Sequence, residues 1–398
     1  MNTKTPLRLG IVGAGAVVRE IYQHLYFRSP YAGLVQVCAV ADPDAACRNW
    51  FGDLAGLPAD RRFSDYRQML AEVALDVVQV NTPDHLHAAP TVAALEAGRE
   101  VILPKPLAAT TRDAHLMIQT ARRAGRFLGV DFHKRDDPRI KEAAARFRQG
   151  RYGTFQLAVF YMLDALYVVD PNHEPRFFAT PDFAEKNTPV SFLTVHMADA
   201  LMHVVNLLPV QVRAVGWSQK LPALRPVPVR GYDLVDTELG FARGGRAHLI
   251  TGWAIPNSAH APTVQSARLI CTDGVVDLAL DAPGLREIHQ QGIFEVNPLF
   301  RNFESDGTVT GYGISHPGRL YQQALAWRRG HVSEAQRQAW LSPMALGFYA
   351  TLVLEAAEKS LADGNTSPEG VTWGATVDLG HWLTEQLGAA EAAAYGLR

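Results

Sequence analysis

Leu7-Arg8-Leu9-Gly10-Ile11-Val12, running directly into Gly13-Ala14-Gly15-Ala16-Val17-Val18, is the stretch on which the fold turns. The first half is apolar and bounded by glycine, so it reads as a strand, and Val17–Phe27 carries a helical apolar period. The two glycines therefore stand at a strand-to-helix turn. There the first permits a tight bend, and the second lets a pyrophosphate approach the backbone at the positive helix N-terminus. Val18 occupies the place of the usual third glycine, which predicts a slightly wider helix–strand contact. Outward from this turn, strands predicted at Leu34–Ala41, Asp76–Val80, Glu100–Leu103 and Phe127–Val130 alternate with helices at 44–54, 65–72, 86–97 and 111–124. That rhythm predicts parallel βαβ units in a doubly wound sheet, the Rossmann arrangement. Asp42 closes the second strand, where a carboxylate can accept both adenosine ribose hydroxyls and repel a 2′-phosphate. The nucleotide expected is NAD rather than NADP.

Beyond Asp131 the rhythm changes. A helix is expected over 138–150, then strand-like segments at 155–161, 210–217, 234–241, 247–253, 267–271 and 275–280, several joined by short turns such as Arg243-Gly244-Gly245 and Asp273-Gly274. They predict an α+β domain with a large, mostly antiparallel open sheet. Helices are expected at 195–207, 319–328 and 343–361, and the proline-punctuated stretch 169–189 reads as a loop over a site. The expected division is 1–131 for the nucleotide domain, 132–364 for a substrate and oligomerisation domain, and 365–398 for a tail packed on the others.

The composition is that of an ordinary globular protein, with 47% hydrophobic and 20% charged residues and a net charge of −2. No run of Lys or Arg suggests nucleic acid or an anionic membrane as a partner. No stretch approaches the ~20 apolar residues of a membrane span. Three cysteines, Cys38, Cys47 and Cys271, form neither a disulfide framework nor a zinc pattern, which suits the cytoplasm. Cys38 is expected in a buried strand.

Several landmarks then occur in order: Gly13-x-Gly15, Asp42, Asn81-Thr82-Pro83-x-x-x-His87, Lys105-Pro106 and His196-x-x-Asp199. With them the chain resembles the Gfo/Idh/MocA family of sugar and cyclitol oxidoreductases. The resemblance implies NAD-dependent oxidation of a secondary alcohol on a sugar, sugar derivative or cyclitol, in a homo-oligomer (dimer or tetramer). It implies that Asn81, Thr82 and Pro83 lie against the cofactor together with Gly13, Ala14, Gly15, Ala16, Val17 and His87. Lys105 would reach the nicotinamide ribose and the substrate hydroxyl, and His196 would accept the alcohol's proton. Two positions depart from the pattern: Pro104 replaces the glutamate of Glu-Lys-Pro, and Phe192 replaces an aspartate four residues before the histidine. Members that keep the dinucleotide bound and use it transiently, for aldose–aldonate coupling or glycoside oxidation–elimination, give a second enzymatic reading. A non-catalytic dinucleotide sensor is a third, against which Lys105 and His196 together argue.

The residues themselves leave alternatives open. Lys105, framed by prolines at a strand's C-terminal end, is either an aimed proton relay or a solvated loop lysine. His196, Asp199 and His203 share a helix face, compatible with proton transfer by His196, a metal site or core histidines. If an acid replaces the one missing at Phe192, Asp164, Asp170 and Asp199 are the candidates. Asp84-His85-x-His87 reads better as helix capping by Asp84 with histidines packed near the cofactor than as a metal site. His133-Lys134-Arg135 is either a set of substrate contacts or a solvated hinge. Arg176, near Asp170, His173 and Glu174, recognises a carboxylate or phosphate or forms a surface ion pair. Tyr161, Trp217, Trp253 and His316 are candidate walls of a sugar pocket, the alternative being core packing. No metal is required by this chemistry.

Overall fold

The structure is a computed structural model and describes residues 5–174, 183–259, 261–281, 285–289 and 292–397. The chain divides into two compact units: Met1–Asp136 with Leu299–Thr351, and Asp137–Pro298 with Leu352–Arg398.

The first unit is built on a six-stranded parallel sheet. Its strands are β1 (Leu7–Val12), β2 (Val35–Ala41), β3 (Arg62–Phe63), β4 (Val77–Val80), β5 (Glu100–Pro104) and β6 (Leu128–Asp131), in the order β3-β2-β1-β4-β5-β6. All four residues of β4 are buried, as expected of a strand covered on both faces. Helices start where polar side chains cap them. Asp44 accepts from the Ala46 amide and Asp65 from the Arg67 amide, and Thr110 caps the helix Thr111–Ala124, which stops at Gly125 with φ +63°. The helix Tyr312–Arg328 packs on β5 and β6 and buries Tyr321 and Trp327. The expected break at residue 131 with a continuous second domain to 364 is therefore corrected, because 299–351 returns to the nucleotide-binding sheet. Cys38 lies in β2 as expected but is half-buried, because the first residues of β2 lean toward solvent.

The second unit carries a nine-stranded mixed sheet. Strands β7 (Phe155–Ala165), β8 (Pro209–Trp217), β9 (Leu234–Phe241), β10 (Arg246–Ile255), β11 (Thr263–Cys271) and β12 (Gly274–Ala279) run in the order β12-β11-β7-β10-β9-β8. Only β7 and β10 pair parallel; the other pairings are antiparallel. The short strands Val371–Trp373, Asn365–Thr366 and Val377–Asp378 extend the β8 side, and the helices Leu379–Leu387 and Ala389–Ala393 follow them. Along β7 from Ala158 on, Ala158, Phe160, Met162 and Asp164 are buried while Tyr161 is exposed and Val159 and Leu163 are half-buried. That period of two separates a helix-covered face from an outer one.

Candidate active site

The glycine turn at the end of β1 has the strained geometry that the sequence predicts. Gly13 sits at φ +85°, and a Cβ there would lie 2.8 Å from the Asn81 carbonyl oxygen, so only glycine fits. Around Gly15 the space is open, with nothing within 4 Å of a built Cβ. Backbone amides hold the turn on both sides: Gly13 N–H donates to the Ala41 carbonyl at 2.8 Å and Asn81 N–H to the Val12 carbonyl at 2.7 Å. The helix after the turn opens with one π-turn, Val18–Tyr22, and Val18 is fully buried.

Asp42, almost fully buried, accepts from the Ala14 amide at 2.7 Å and the Asp44 amide at 2.9 Å. Its carboxylate ties the glycine turn to the end of β2. A second tie runs beneath the turn. The Tyr321 hydroxyl donates to Gln79 Oε1, Gln79 Nε2 donates to Asn81 Oδ1 at 3.0 Å, and Asn81 Nδ2 donates to the Gly13 carbonyl at 3.2 Å. Gln79 was not singled out from sequence. Its signal is an amide facing inward on a strand of β-branched residues.

His87 has no exposed surface. Its Nδ1 lies 2.9 Å from the Pro106 carbonyl and its Nε2 3.0 Å from the Thr82 carbonyl, so the ring spans the loops after β4 and β5. Burial pushes its proton affinity down. Asp84 does not cap the following helix: it begins a 3₁₀ turn, Asp84–Leu86, and the helix Ala88–Glu96 has no side-chain cap. Lys105 follows β5 directly, partly exposed, beside Pro106 and the His87 clamp. The buried Thr82 hydroxyl has no hydrogen-bond partner among the described residues. A constrained φ at Gly13, open space at Gly15, a carboxylate after β2 and an orphan hydroxyl after β4 together fit a dinucleotide.

On β6, Asp131 is the register partner of Pro104. It receives the Tyr22 hydroxyl at 2.8 Å on one oxygen, and His316 Nδ1 lies 2.8 Å from the other. His316, expected in the wall of a sugar pocket in the second domain, belongs instead to the nucleotide-binding unit. Nearby, His133 stacks on Tyr312 at 5.9 Å and meets Phe300 at 5.3 Å. Desolvation, helped by the charges of Lys134, His316 and Lys105 against that of Asp131, lowers its pKa to about 4.

In the second unit, His196 lies in the first turn of the helix Val195–Val205, with Asp199 one turn on, and both are buried. Thr188 starts this segment by accepting from the Val190 and Ser191 amides, and the Thr194 and Thr251 hydroxyls, 2.7 Å apart, tie it to β10. Phe192 meets Phe183 edge-on at 5.2 Å and Trp253 at 5.8 Å. An aromatic cluster thus stands where a carboxylate one turn before His196 would be. Trp253 is core packing, with 2% exposure. Tyr161 lies on the outer face of β7, the opposite face from Asp164, and is removed from the set around the helix-covered face. Trp217 ends β8, half-buried beside Leu234 and Val371. Asp170 is engaged locally by Asn172, and His173 packs on Tyr167 at 5.2 Å. Arg176 lies outside the described residues. Among those residues no three His, Cys, Asp or Glu side chains are grouped to hold a metal ion.

Residues 7–132 match the family described as oxidoreductases with an NAD-binding Rossmann fold, Gfo/Idh/MocA. Over 241 residues the chain is 28% identical to D-glucoside 3-dehydrogenase of Escherichia coli (strain K12), covering 59% of this chain and 60% of that protein. It is 25% identical over 364 residues to an inositol 2-dehydrogenase of Acidothermus cellulolyticus, covering 91% and 94% of the two chains. The fold superposes on myo-inositol 2-dehydrogenase from Lactobacillus plantarum with a TM-score of 0.69 and 18% identity, covering 94% of this chain and 99% of that one. The glycine turn, the Asn81-Thr82-Pro83 loop and the lysine after β5 fall at one strand edge, and residues 7–132 match the NAD-binding Rossmann fold of the Gfo/Idh/MocA oxidoreductases.

Proposed function

We propose that the protein oxidises, reversibly and with NAD, a secondary CH–OH group of a sugar, sugar derivative or cyclitol. The observation that carries this is the placement of Lys105 directly after β5, beside a loop clamped through His87 to the cofactor-binding loop after β4. When bound, the nicotinamide supplies the acceptor for a hydride. Lys105 holds the substrate hydroxyl and takes its proton, and His196 is the second proton-transfer group. Asp42 selects NAD over NADP, because a 2′-phosphate would meet its buried carboxylate. Asp42→Ala should narrow the preference for NAD about tenfold, measured as the ratio of kcat/KM for the two cofactors. An unchanged ratio removes Asp42 from selection.

A second reading keeps NAD(H) bound and uses it transiently. Phe192 favours it, because the aromatic cluster leaves the helix of His196 without a carboxylate one turn before the histidine. Asp164 and Asp199, both buried, are the acids that could compensate. The test is purified protein with NAD and a panel of inositols, aldoses and methyl glycosides, followed at the NADH absorbance. Released NADH supports the dehydrogenase. NAD(H) that co-purifies without release supports transient use, and binding without turnover supports a sensor.

Assembly as a homo-oligomer through the outer sheet face is part of the same reading. Tyr161, Ile270 and Val275 are 39%, 37% and 56% exposed there. A cytoplasmic location is supported by three free cysteines. No helix among the described residues is long and apolar enough to cross a membrane.

A further inference from the structure

The Rossmann unit holds a carboxylate–imidazole pair that the mechanism above does not use. Asp131 ends β6, at the same strand edge as Lys105 and in register with Pro104. Its side chain is 2% exposed, and both oxygens are engaged, one by the Tyr22 hydroxyl and one by His316 Nδ1, each at 2.8 Å. Burial keeps Tyr22 protonated, so its hydroxyl is a donor and Asp131 an acceptor. A carboxylate flanked by two donors fixes the tautomer of His316: Nδ1 carries the hydrogen and Nε2 the lone pair. That Nε2 has no partner among the described residues, and the side chain keeps 12% exposure. His316 also lines a cavity of about 120 Å³ shared with Arg135, Gln323, Val130 and Trp340, which has room for water. An imidazole held in one tautomer by a carboxylate, with its basic nitrogen free, is the arrangement of a general base and its orienting group. His133 stacks on Tyr312 of the helix that carries His316, and Asp131 stands in register with Pro104, the residue before Lys105.

We propose that His316, oriented by Asp131, is the proton outlet of the nucleotide-binding unit. The hydroxyl proton taken up at Lys105 passes through water to His316 Nε2. The imidazolium so formed faces the Asp131 carboxylate, and the ring returns to neutral by releasing the proton to water in the cavity. No electrons move in this step. The inference rests on the dehydrogenase reading for the source of the proton, but not for the state of the histidine.

Two measurements test it. In ¹⁵N spectra of the histidine-labelled protein at neutral pH, His316 should show a protonated Nδ1 and a bare Nε2, and Asp131→Asn should exchange the two. A protonated Nε2 in the wild type, or no exchange in the variant, overturns the proposal. With NAD and scyllo-inositol or methyl β-glucoside as probe, His316→Ala should lower kcat about 10–100-fold. The KM for NAD should stay unchanged, and tens of millimolar imidazole should restore much of the rate. A merely structural tie between β6 and the helix Tyr312–Arg328 would lower Tm and give no rescue by imidazole, which overturns the outlet. If the wild type turns over neither probe, the dehydrogenase reading and the outlet fail together, while the tautomer still decides the pair.

Discussion

At the strand edge of the Rossmann unit each loop is fastened to the next by a polar contact: Asp42 to the glycine turn, Asn81 to Gly13, His87 to Thr82 and Pro106, Asp131 to Tyr22 and His316. In the second unit, the segment before His196 is packed among the rings of Phe183, Phe192 and Trp253. Hydrogen bonds between buried groups fix both distance and direction, whereas ring contacts fix shape and leave direction loose. The first region is thus suited to hold an invariant partner, the dinucleotide, in one pose. The second tolerates exchange of a side chain within the cluster without losing its fold, and Phe192 sits in that cluster.

Lys105→Ala should break the comparison most visibly. A lysine that holds and deprotonates the reacting hydroxyl is worth ~10²–10⁴ in kcat. NADH binding, followed by fluorescence titration, should weaken only severalfold, because the glycine turn and Asp42 are untouched. Turnover near that of the wild type would take Lys105 out of the chemistry. His196→Asn should cost less, ~10–10² in kcat, if Lys105 carries the larger part of the proton transfer. Equal losses in the two variants would show that the aromatic-packed helix is as exacting as the polar strand edge.

The polar edge was legible in the sequence for a physical reason. Only glycine tolerates φ +85° with a carbonyl 2.8 Å from the would-be Cβ, and a carboxylate at a strand end has few structural tasks. The Asp131–His316 pair was not legible, because its members are 185 residues apart and nothing local links one to the other. The return of 299–351 to the first sheet was hidden for a related reason: an amphipathic helix shows which face is buried, but not which sheet covers it. Tyr161 occupies a face that is written in the sequence. Its neighbours Phe160 and Met162 already mark the buried phase of the strand, which puts Tyr161 on the other face.

The tie beneath the glycine turn gives a smaller effect. Gln79→Leu leaves the Asn81 amide oxygen and the Tyr321 hydroxyl buried without their partner. Each unmet group costs about 1–3 kcal/mol, readable as a lower urea midpoint and Tm. NADH binding should weaken with it, since Asn81 holds the Gly13 carbonyl. Lost stability with unchanged NADH affinity would separate the fold of this edge from its service to the cofactor.

His133 should give the smallest effect, and one visible only in acid. Its pKa is lowered to about 4 in the folded chain, against an ordinary value of 6.5. The folded state therefore binds fewer protons than the unfolded state between those values. The sign follows: stability is complete above pH 6.5 and falls as the pH drops toward 4. Full protonation would cost about 3 kcal/mol for a wholly buried ring, and the partial exposure of this one reduces that to roughly 2. His133→Phe keeps a ring against Tyr312 and Phe300 and removes the titration. At pH 7.5 the variant should match the wild type within ~0.5 kcal/mol. Between pH 6.5 and 4 its Tm should fall less steeply, by the few degrees that ~2 kcal/mol represents. Carboxylates with lowered pKa values, such as Asp76, lose their contribution only in more acid solution, while Glu100 and Glu358, raised by burial, act in the opposite sense, so the difference between the two proteins isolates His133. Parallel acid slopes in the two proteins would assign the sensitivity to another histidine, with His87, also lowered by burial, the next to replace.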